Sequence, residues 1–257
     1  MFFRCIKRFI DLFSSLLFLV IFSPFLVFIA LLVRLDSPGP VFYRHQRIGK
    51  AGIPFNLFKF RTMKADGDDS EYLHYLKALI ESERNGNGNG GNGNGKNGNG
   101  MPYLKMSSDG RITRVGGFLR KYYLDELPQM WNILKGEMSL VGPRPHVQFE
   151  VNYYTAEQRR RMSVPPGATG LWQVAGKGDS TFNELIELDL DYVDNWTVGL
   201  DFRILFQTFL LMLHGGEGSW TRADKSISRK MRVLSFLEPA VPMKNPEIKP
   251  FQRQGTR

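Results

Sequence analysis

Hydrophobic positions are spread unevenly along this chain, and their spacing predicts its elements. Leu12 to Val33 is a run of 22 residues without a charge. A helix that crosses a bilayer needs roughly 20 apolar residues. The run is too long for a signal-peptide core, and no small-residue cleavage site follows it. Ser23-Pro24 falls near its middle, and a proline inside a straight helix costs about 3 kcal/mol. Basic residues flank both ends: Arg4, Lys7 and Arg8 before the run, and Arg34, Arg44, Arg47 and Lys50 after it. Orientation by positive charge needs an asymmetry, and the two ends show none. Two topologies follow from the residues. The helix enters the membrane, bends at Ser23-Pro24 and returns to the same face, or it spans and tolerates its proline.

Beyond the turn-rich Asp36-Ser37-Pro38-Gly39-Pro40, the period shortens to two. Val41 to Ile48 and Pro54 to Met63 are expected as strands of a hairpin around Gly49 to Gly52. Alternation puts Lys59 and Arg61 on one face of the second strand and Phe58 and Phe60 on the other. Helical spacing predicts an amphipathic helix over Asp68 to Arg84 and another through Ile112, Val115, Phe118 and Leu119. After a break at Tyr122-Tyr123, a helix is expected from about Asp125 to Lys135. Pro128 would lie in its first turn and Gly136 at its C-terminal end. Pro165-Pro166-Gly167 marks a turn before a short strand at Leu171 to Val174. Glu184 to Trp196 reads as an amphipathic helix. Leu200 to Leu213 is apolar on most sides, which suits a helix in the membrane interface.

Asn85 to Gly100 holds seven Asn, eight Gly and one Lys. It cannot bury apolar surface, so a disordered loop is expected. The formal net charge is +9, which favours anionic surfaces or substrates. Between Gly215 and Arg257 nine Lys/Arg face four Asp/Glu, a net of +5. More than half of the excess therefore belongs to a basic tail. The single cysteine, Cys5, excludes an internal disulfide framework. Four histidines without metal-ligand spacing argue against zinc. No signature of a nucleic-acid-binding fold is present.

Asp125-Glu126 is the pair with chemical promise. At a predicted helix N-terminus, free N–H groups and the helix dipole favour a bound phosphate and keep an aspartate ionised. An ionised carboxylate can attack phosphorus and form an acyl-phosphate. The plain alternative is capping, since Asp is a favoured cap and Glu is common in a first turn. The company is informative. Arg120 lies five residues earlier. Pro143-Arg144-Pro145 follows the helix, two prolines stiffening the backbone around one guanidinium. Lys59 and Arg61 add cations from the strand. Arginine reads a diphosphate bidentately.

Four segments carry a resemblance. They are Lys59 to Met63 (KFRTM), Leu124 to Gln129 (LDELPQ), Asn132 to Pro145 (NILKGEMSLVGPRP) and Pro166 to Val174 (PGATGLWQV). In this order they resemble the bacterial sugar transferase family, the monotopic polyprenyl-phosphate phosphoglycosyl transferases. The resemblance runs from about Lys7 to His214, interrupted by the Asn/Gly insert. It implies a catalytic dyad at Asp125 and Glu126 and a re-entrant membrane helix kinked at Ser23 and Pro24. It implies Mg²⁺ held through Glu126, and phosphate binding by Arg120 and Arg144. It also implies a UDP-sugar donor, a polyprenyl phosphate acceptor, a covalent phospho-sugar aspartate and release of UMP. Pro165 departs from relatives that carry a basic residue before the Pro-Gly turn, so no substrate contact is expected from that position. The segment Gly176 to Thr181, with the helix after it, resembles members that start exopolysaccharide repeats with a hexose phosphate.

The expected fold class is α+β, mostly helical with a small β-hairpin, in the small form of the family without extra N-terminal membrane spans. Residues 1–36 would form the re-entrant membrane helix and 37–214 the catalytic domain, including the 85–100 insert and an interfacial helix at 200–213. Residues 215–257 would be a basic flexible tail. The expected location is the inner membrane, in contact with lipid, with the catalytic domain on the cytoplasmic face. Substrate contacts are expected from Lys59, Arg61, Arg120, Pro143, Arg144 and Pro145. Two rival readings are a metal-dependent glycosyl transferase without a covalent intermediate and a non-enzymatic basic membrane adaptor.

Overall fold

A computed structural model describes residues 2–64, 111–175 and 182–213. The predicted helix at Asp68 to Arg84, the Asn/Gly insert, the Gly176 to Thr181 segment and the basic tail lie outside these residues. Two long apolar helices, α1 (Phe2–Ile21) and α2 (Ser23–Asp36), come first. The hairpin follows as β1 (Phe42–Ile48) and β2 (Pro54–Phe60), antiparallel with Tyr43 opposite Lys59. Next come α3 (Arg114–Lys121), a 3₁₀ turn at Leu124–Glu126 and α4 (Gln129–Lys135). Strand β3 (Ser139–Val141) pairs in parallel with β4 (Gly167–Thr169), and α5 (Gln148–Asn152) and a 3₁₀ turn (Gln158–Ser163) lie between them. The described chain ends with α6 (Leu171–Ala175), α7 (Phe182–Asp194) and α8 (Val198–Leu213). The result is a mostly helical α+β fold with two small sheets among the described residues.

The bend in the N-terminal run has a local cause. Segments Cys5–Ile21 and Ser23–Asp36 meet at 65°. Pro24 has no N–H to give the carbonyl four residues back, which is that of Val20. The Ser23 hydroxyl takes the place of that donor, bonding Val20 O at 2.9 Å. Among the described residues no single helix is long and apolar enough to cross a membrane; the bent pair passes that test only together. The outer surface of the pair is apolar, with Phe9, Phe13, Val20, Phe25, Phe28 and Leu31 exposed. Phe202, Phe206, Phe209 and Leu213 continue that character along α8.

The polar face of α1 fastens the pair to the body. Arg8 donates from Nη1 to Ile133 O at 2.6 Å and from Nη2 to Leu134 O at 3.0 Å, which caps the C-terminus of α4. Asp11 Oδ1 accepts from Ser139 Oγ at 3.1 Å and from Leu140 N–H at 3.0 Å. Lys7 pairs with Asp201 of α8 at 2.5 Å. Ile29 and Val33 of α2 pack with Phe60 and Leu119 in one buried cluster. Behind the hairpin, Phe55 and Leu57 pack on Ile133 and Met138. A further core includes Trp172 and joins Ile48, Tyr154, Phe182 and Leu185.

Two local expectations are corrected. The single helix from Asp125 is divided: a tight 3₁₀ turn carries the dyad, and the α-helix starts at Gln129 with Pro128 as its cap residue. Lacking an N–H, Pro128 suits the cap as well as a first turn. Leu171 to Val174 is helical, and the strand lies just before it at Gly167–Thr169. Glycine explains why the strand pairs there. A Cβ on Gly167 would lie 2.1 Å from Gly142 N, and one on Gly170 would lie 2.2 Å from Gly142 O. Only bare backbones approach this closely, so the pairing needs those glycines.

Candidate active site

The dyad is placed by a reversal of the chain. Tyr123 is one of two non-glycine residues with positive φ among the described residues, at 58°. Its left-handed turn folds the 3₁₀ segment back against the end of α3. Such backbone strain persists where surrounding structure holds it in place. Asp125 becomes buried at 8% exposure, with Glu126 more open beside it. Lys59, reaching from β2, sets Nζ 2.5 Å from Glu126 Oε1 and 3.9 Å from Asp125 Oδ2.

Burial pushes the Asp125 carboxyl up from 3.8 to about 6. The Lys59 charge opposes that rise, Glu126 adds to it, and Arg120 opposes it. Desolvation outweighs the nearby cations, yet neutral pH still lies above the titration range of this group, which stays ionised. Arg120 lies within electrostatic reach of Asp125. Arg144 lies within electrostatic reach of the same turn, since the Tyr123 phenol feels Glu126, Asp125 and Arg144 together.

Asn132 fixes the strand that delivers Lys59. Fully buried in α4, its carboxamide treats β2 as a neighbouring strand would. Oδ1 accepts from Phe58 N–H at 3.0 Å, and Nδ2 donates to Asn56 O at 2.7 Å and to Glu137 Oε2 at 2.7 Å. Asn132→Ala strands buried groups on both elements, at a cost of about 2–3 kcal/mol. A fall in the thermal midpoint together with weaker turnover is the expected result; an unchanged midpoint would refute this account.

The Arg144 loop is held by its carbonyls, since its prolines offer no N–H. Pro143 O accepts from Gly167 N–H at 2.9 Å, Arg144 O from Arg161 Nη2 at 2.7 Å, and Pro145 O from Arg47 Nη1 at 3.3 Å. The Arg144 N–H bonds the buried Asp189 carboxylate, which also pairs with Arg161. The Arg144 guanidinium lies 5.5 Å over the Trp172 ring. Pro143 and Pro145 thus shape the loop through backbone anchors, and the structure gives them no polar side-chain role.

Arg61 is not brought to the dyad. Its side chain is buried at 5% exposure and bonds Val33 O, Ser37 O and Ser37 Oγ, where α2 ends. The expectation of a phosphate-facing cation at this position is replaced by that of a helix C-terminal cap, because its bonded nitrogen is taken up by the carbonyls at the end of α2. Sequence reasoning also missed His45 and Arg47. Both share a face of β1 with Tyr43, the register partner of Lys59. Burial and the charges of Arg47 and Lys59 lower His45 to about 4, so it is neutral at pH 7. The period-two pattern of β1 held that signal.

Among the described residues no group of three or more His, Cys, Asp or Glu could hold a metal by itself. The donor set fits Mg²⁺ in another way. Mg²⁺ commonly takes one or two carboxylates and completes its shell with substrate phosphates and water. Glu126, partly exposed and already facing a cation, offers such a carboxylate.

Known proteins resemble this chain along most of its length. It is 38% identical over 204 residues to the exopolysaccharide production protein ExoY of Rhizobium meliloti strain 1021, covering 79% of this chain and 83% of that protein. It is 36% identical over 212 residues to the UDP-glucose:undecaprenyl-phosphate glucose-1-phosphate transferase of Caulobacter vibrioides, covering 79% and 67% respectively. Against the undecaprenyl-phosphate galactose phosphotransferase of Salmonella typhimurium strain LT2 the identity is 38% over 210 residues, or 82% of this chain. The chain spans about two fifths of that relative's length, 41%. The bacterial sugar transferase family model matches residues 2–215, a range that takes in the bent helix pair, the dyad and the Arg144 loop, and the chain belongs to that family.

Proposed function

We propose that the protein transfers a sugar-1-phosphate, a hexose phosphate by its resemblance to exopolysaccharide-initiating members, from a UDP-sugar to a polyprenyl phosphate. The observation that carries this reading is a buried aspartate with a lysine at 3.9 Å and two arginines within electrostatic reach of its turn. A carboxylate set among cations can attack a charged phosphorus, because those cations offset the negative charge of both partners. The names of the Rhizobium, Caulobacter and Salmonella relatives support the same reaction class and a role in exopolysaccharide assembly.

In the first step an Asp125 carboxylate oxygen bonds to the β-phosphorus of the donor. The bond from that phosphorus to the bridging oxygen breaks, and UMP leaves with the electron pair. In the second step a phosphate oxygen of the lipid attacks the same phosphorus. The aspartyl bond breaks, the carboxylate returns, and the sugar leaves on a diphosphate-linked lipid. Lys59, Arg120 and Arg144 hold the phosphates and offset charge in both transition states. Glu126 would hold Mg²⁺, which when bound supplies further charge neutralisation on the diphosphate. Lys59 would then be shared between Asp125 and substrate.

The apolar surfaces of α1, α2 and α8 support a bent pair that enters and leaves one leaflet, with α8 lying in the interface. Basic residues on both sides of the bend favour the cytoplasmic face of the inner membrane. The donor arrives there from the cytosol and the acceptor phosphate sits at headgroup level.

Intact-mass measurement of enzyme given a UDP-sugar panel without lipid tests the reading. A hexose-phosphate increment on Asp125 with stoichiometric UMP is expected. Release of UDP would favour a glycosyl transferase without a covalent intermediate and end this proposal. The donor step should also speed up as pH rises through about 6, because the attacking form is the deprotonated one. Lys59→Met removes the charge that favours that form; a loss of about two orders of magnitude is expected, the scale of one preorganised charged contact. A Lys59→Met enzyme with normal single-turnover rates would remove Lys59 from the site.

A further inference from the structure

Where the bent pair leaves its apolar surroundings, one buried arginine joins it to the catalytic body. Arg61 Nη2 bonds Ser37 O at 2.6 Å, Ser37 Oγ at 3.0 Å and Val33 O at 3.2 Å. Its backbone N–H donates to Val41 O at 2.9 Å, which ties β2 to the segment just past that exit. Nε and Nη1 are buried and make no hydrogen bond. Leaving buried donors unmade is costly, so this arginine is a poor device for stability alone. What it does hold is position.

Both active-site cations on this side are reached from the same junction. Lys59 lies two residues before Arg61 on β2. Arg120 lies on α3, whose Val115 N–H bonds Asp36 Oδ2 at 3.0 Å, one residue before Ser37. Phe60 and Leu119, the neighbours of Arg61 and Arg120, pack together against Ile29 and Val33 of α2. The end of α2 is therefore fixed to the two segments that place Lys59 and Arg120.

Resting on the phosphoglycosyl transfer proposed above, we infer that Arg61 is a positioning residue for the lipid half of the reaction. It locks the exit of the membrane pair to the strand bearing Lys59, and so sets the height of Asp125 over the lipid-borne phosphate. The donor is soluble and reaches Asp125 from water at any height. The acceptor is held in the bilayer and does not.

The test uses the full-length protein in phospholipid vesicles. UMP release and the Asp125 adduct are timed with UDP-sugar alone. The adduct is then chased with undecaprenyl phosphate or with a short, water-soluble polyprenyl phosphate. For Arg61→Ala the donor step should stay within about threefold of wild type, and so should transfer to the short acceptor. Transfer to the long acceptor should fall about tenfold or more with a raised KM for that lipid, the scale of a lost charged hydrogen bond. Arg61→Lys, which keeps a charged donor but not the reach and fixed plane of the guanidinium that set Nη2 over both carbonyls, should recover part of the loss. Ser37→Ala removes a single acceptor and gives the same selectivity at smaller size should Arg61→Ala fail to fold. Equal loss on both acceptors, a slowed donor step, or full activity on the long lipid would each overturn the inference. Wild-type enzyme forming no adduct is a separate result, and it would sink the reaction scheme itself.

Discussion

Asp125→Asn is expected to lose turnover by roughly 10⁴-fold or more while making the protein more stable. The loss follows from the missing nucleophile: an amide does not form the acyl-phosphate, so the mass increment and UMP vanish together. The gain follows from burial. In the folded protein the carboxyl sits at about 6 against 3.8 in the unfolded chain. A carboxylate raised by folding favours the folded state only when protonated. That contribution is complete below 3.8 and is lost as pH rises through about 6. At neutral pH the wild-type protein therefore carries a destabilisation of up to about 3 kcal/mol, from roughly two pKa units at 1.36 kcal/mol each. Asparagine removes it. Denaturation of both proteins across pH should show the gap in midpoint wide at pH 7.5 and narrower toward pH 5. A mutant that is inactive and less stable at neutral pH would contradict the burial account.

Asp189→Ala is expected to cost about 3–5 kcal/mol, the scale of leaving one charge of a buried pair alone. Arg161 and Asp189 are both nearly inaccessible, at 3% and 0% exposure, and they bond each other directly. Tyr154 links Arg161 to His146, and the Asp189 carboxylate receives the Arg144 N–H. Loss of the acid leaves a buried guanidinium and an unanchored Arg144 loop. Urea denaturation should show a lower midpoint, and surviving protein should need more UDP-sugar to reach half its maximal rate. A wild-type midpoint would show that the pair is not the brace described above.

Local groupings of residues were easier to read from the sequence than long-range partners. That Lys59 and Arg120 gather around Asp125 and Glu126 was legible from short motifs with strong local chemistry and from Arg120 standing five residues before Asp125. Ser23-Pro24 announced the bend for the same reason. What was hidden depends on partners far along the chain. Arg61 looked like one more cation on a strand, and nothing local says that the carbonyl of Val33 waits for it. Asn132 pairs with residues 56 and 58, and Arg161 with residue 189. Leu171 to Val174 mixes aromatic and β-branched residues and reads as a strand. The true strand is the glycine-bearing stretch before it, whose pairing with Ser139–Val141 is long-range. The division of the helix at Pro128 escaped because proline is equally at home one position earlier or later. The upward shift of Asp125 to about 6 escaped because desolvation is a property of the packed protein.

The carboxamide of Asn132 has an effect outside catalysis. A two-stranded ribbon ordinarily offers outer rows of amides and carbonyls on which a foreign chain can template itself. At Phe58 and Asn56 those groups are already taken from within the same molecule. Intermolecular strand addition on that side must wait until α4 peels away. Resistance of the hairpin to aggregation is thereby linked to the integrity of the helix that follows the catalytic turn.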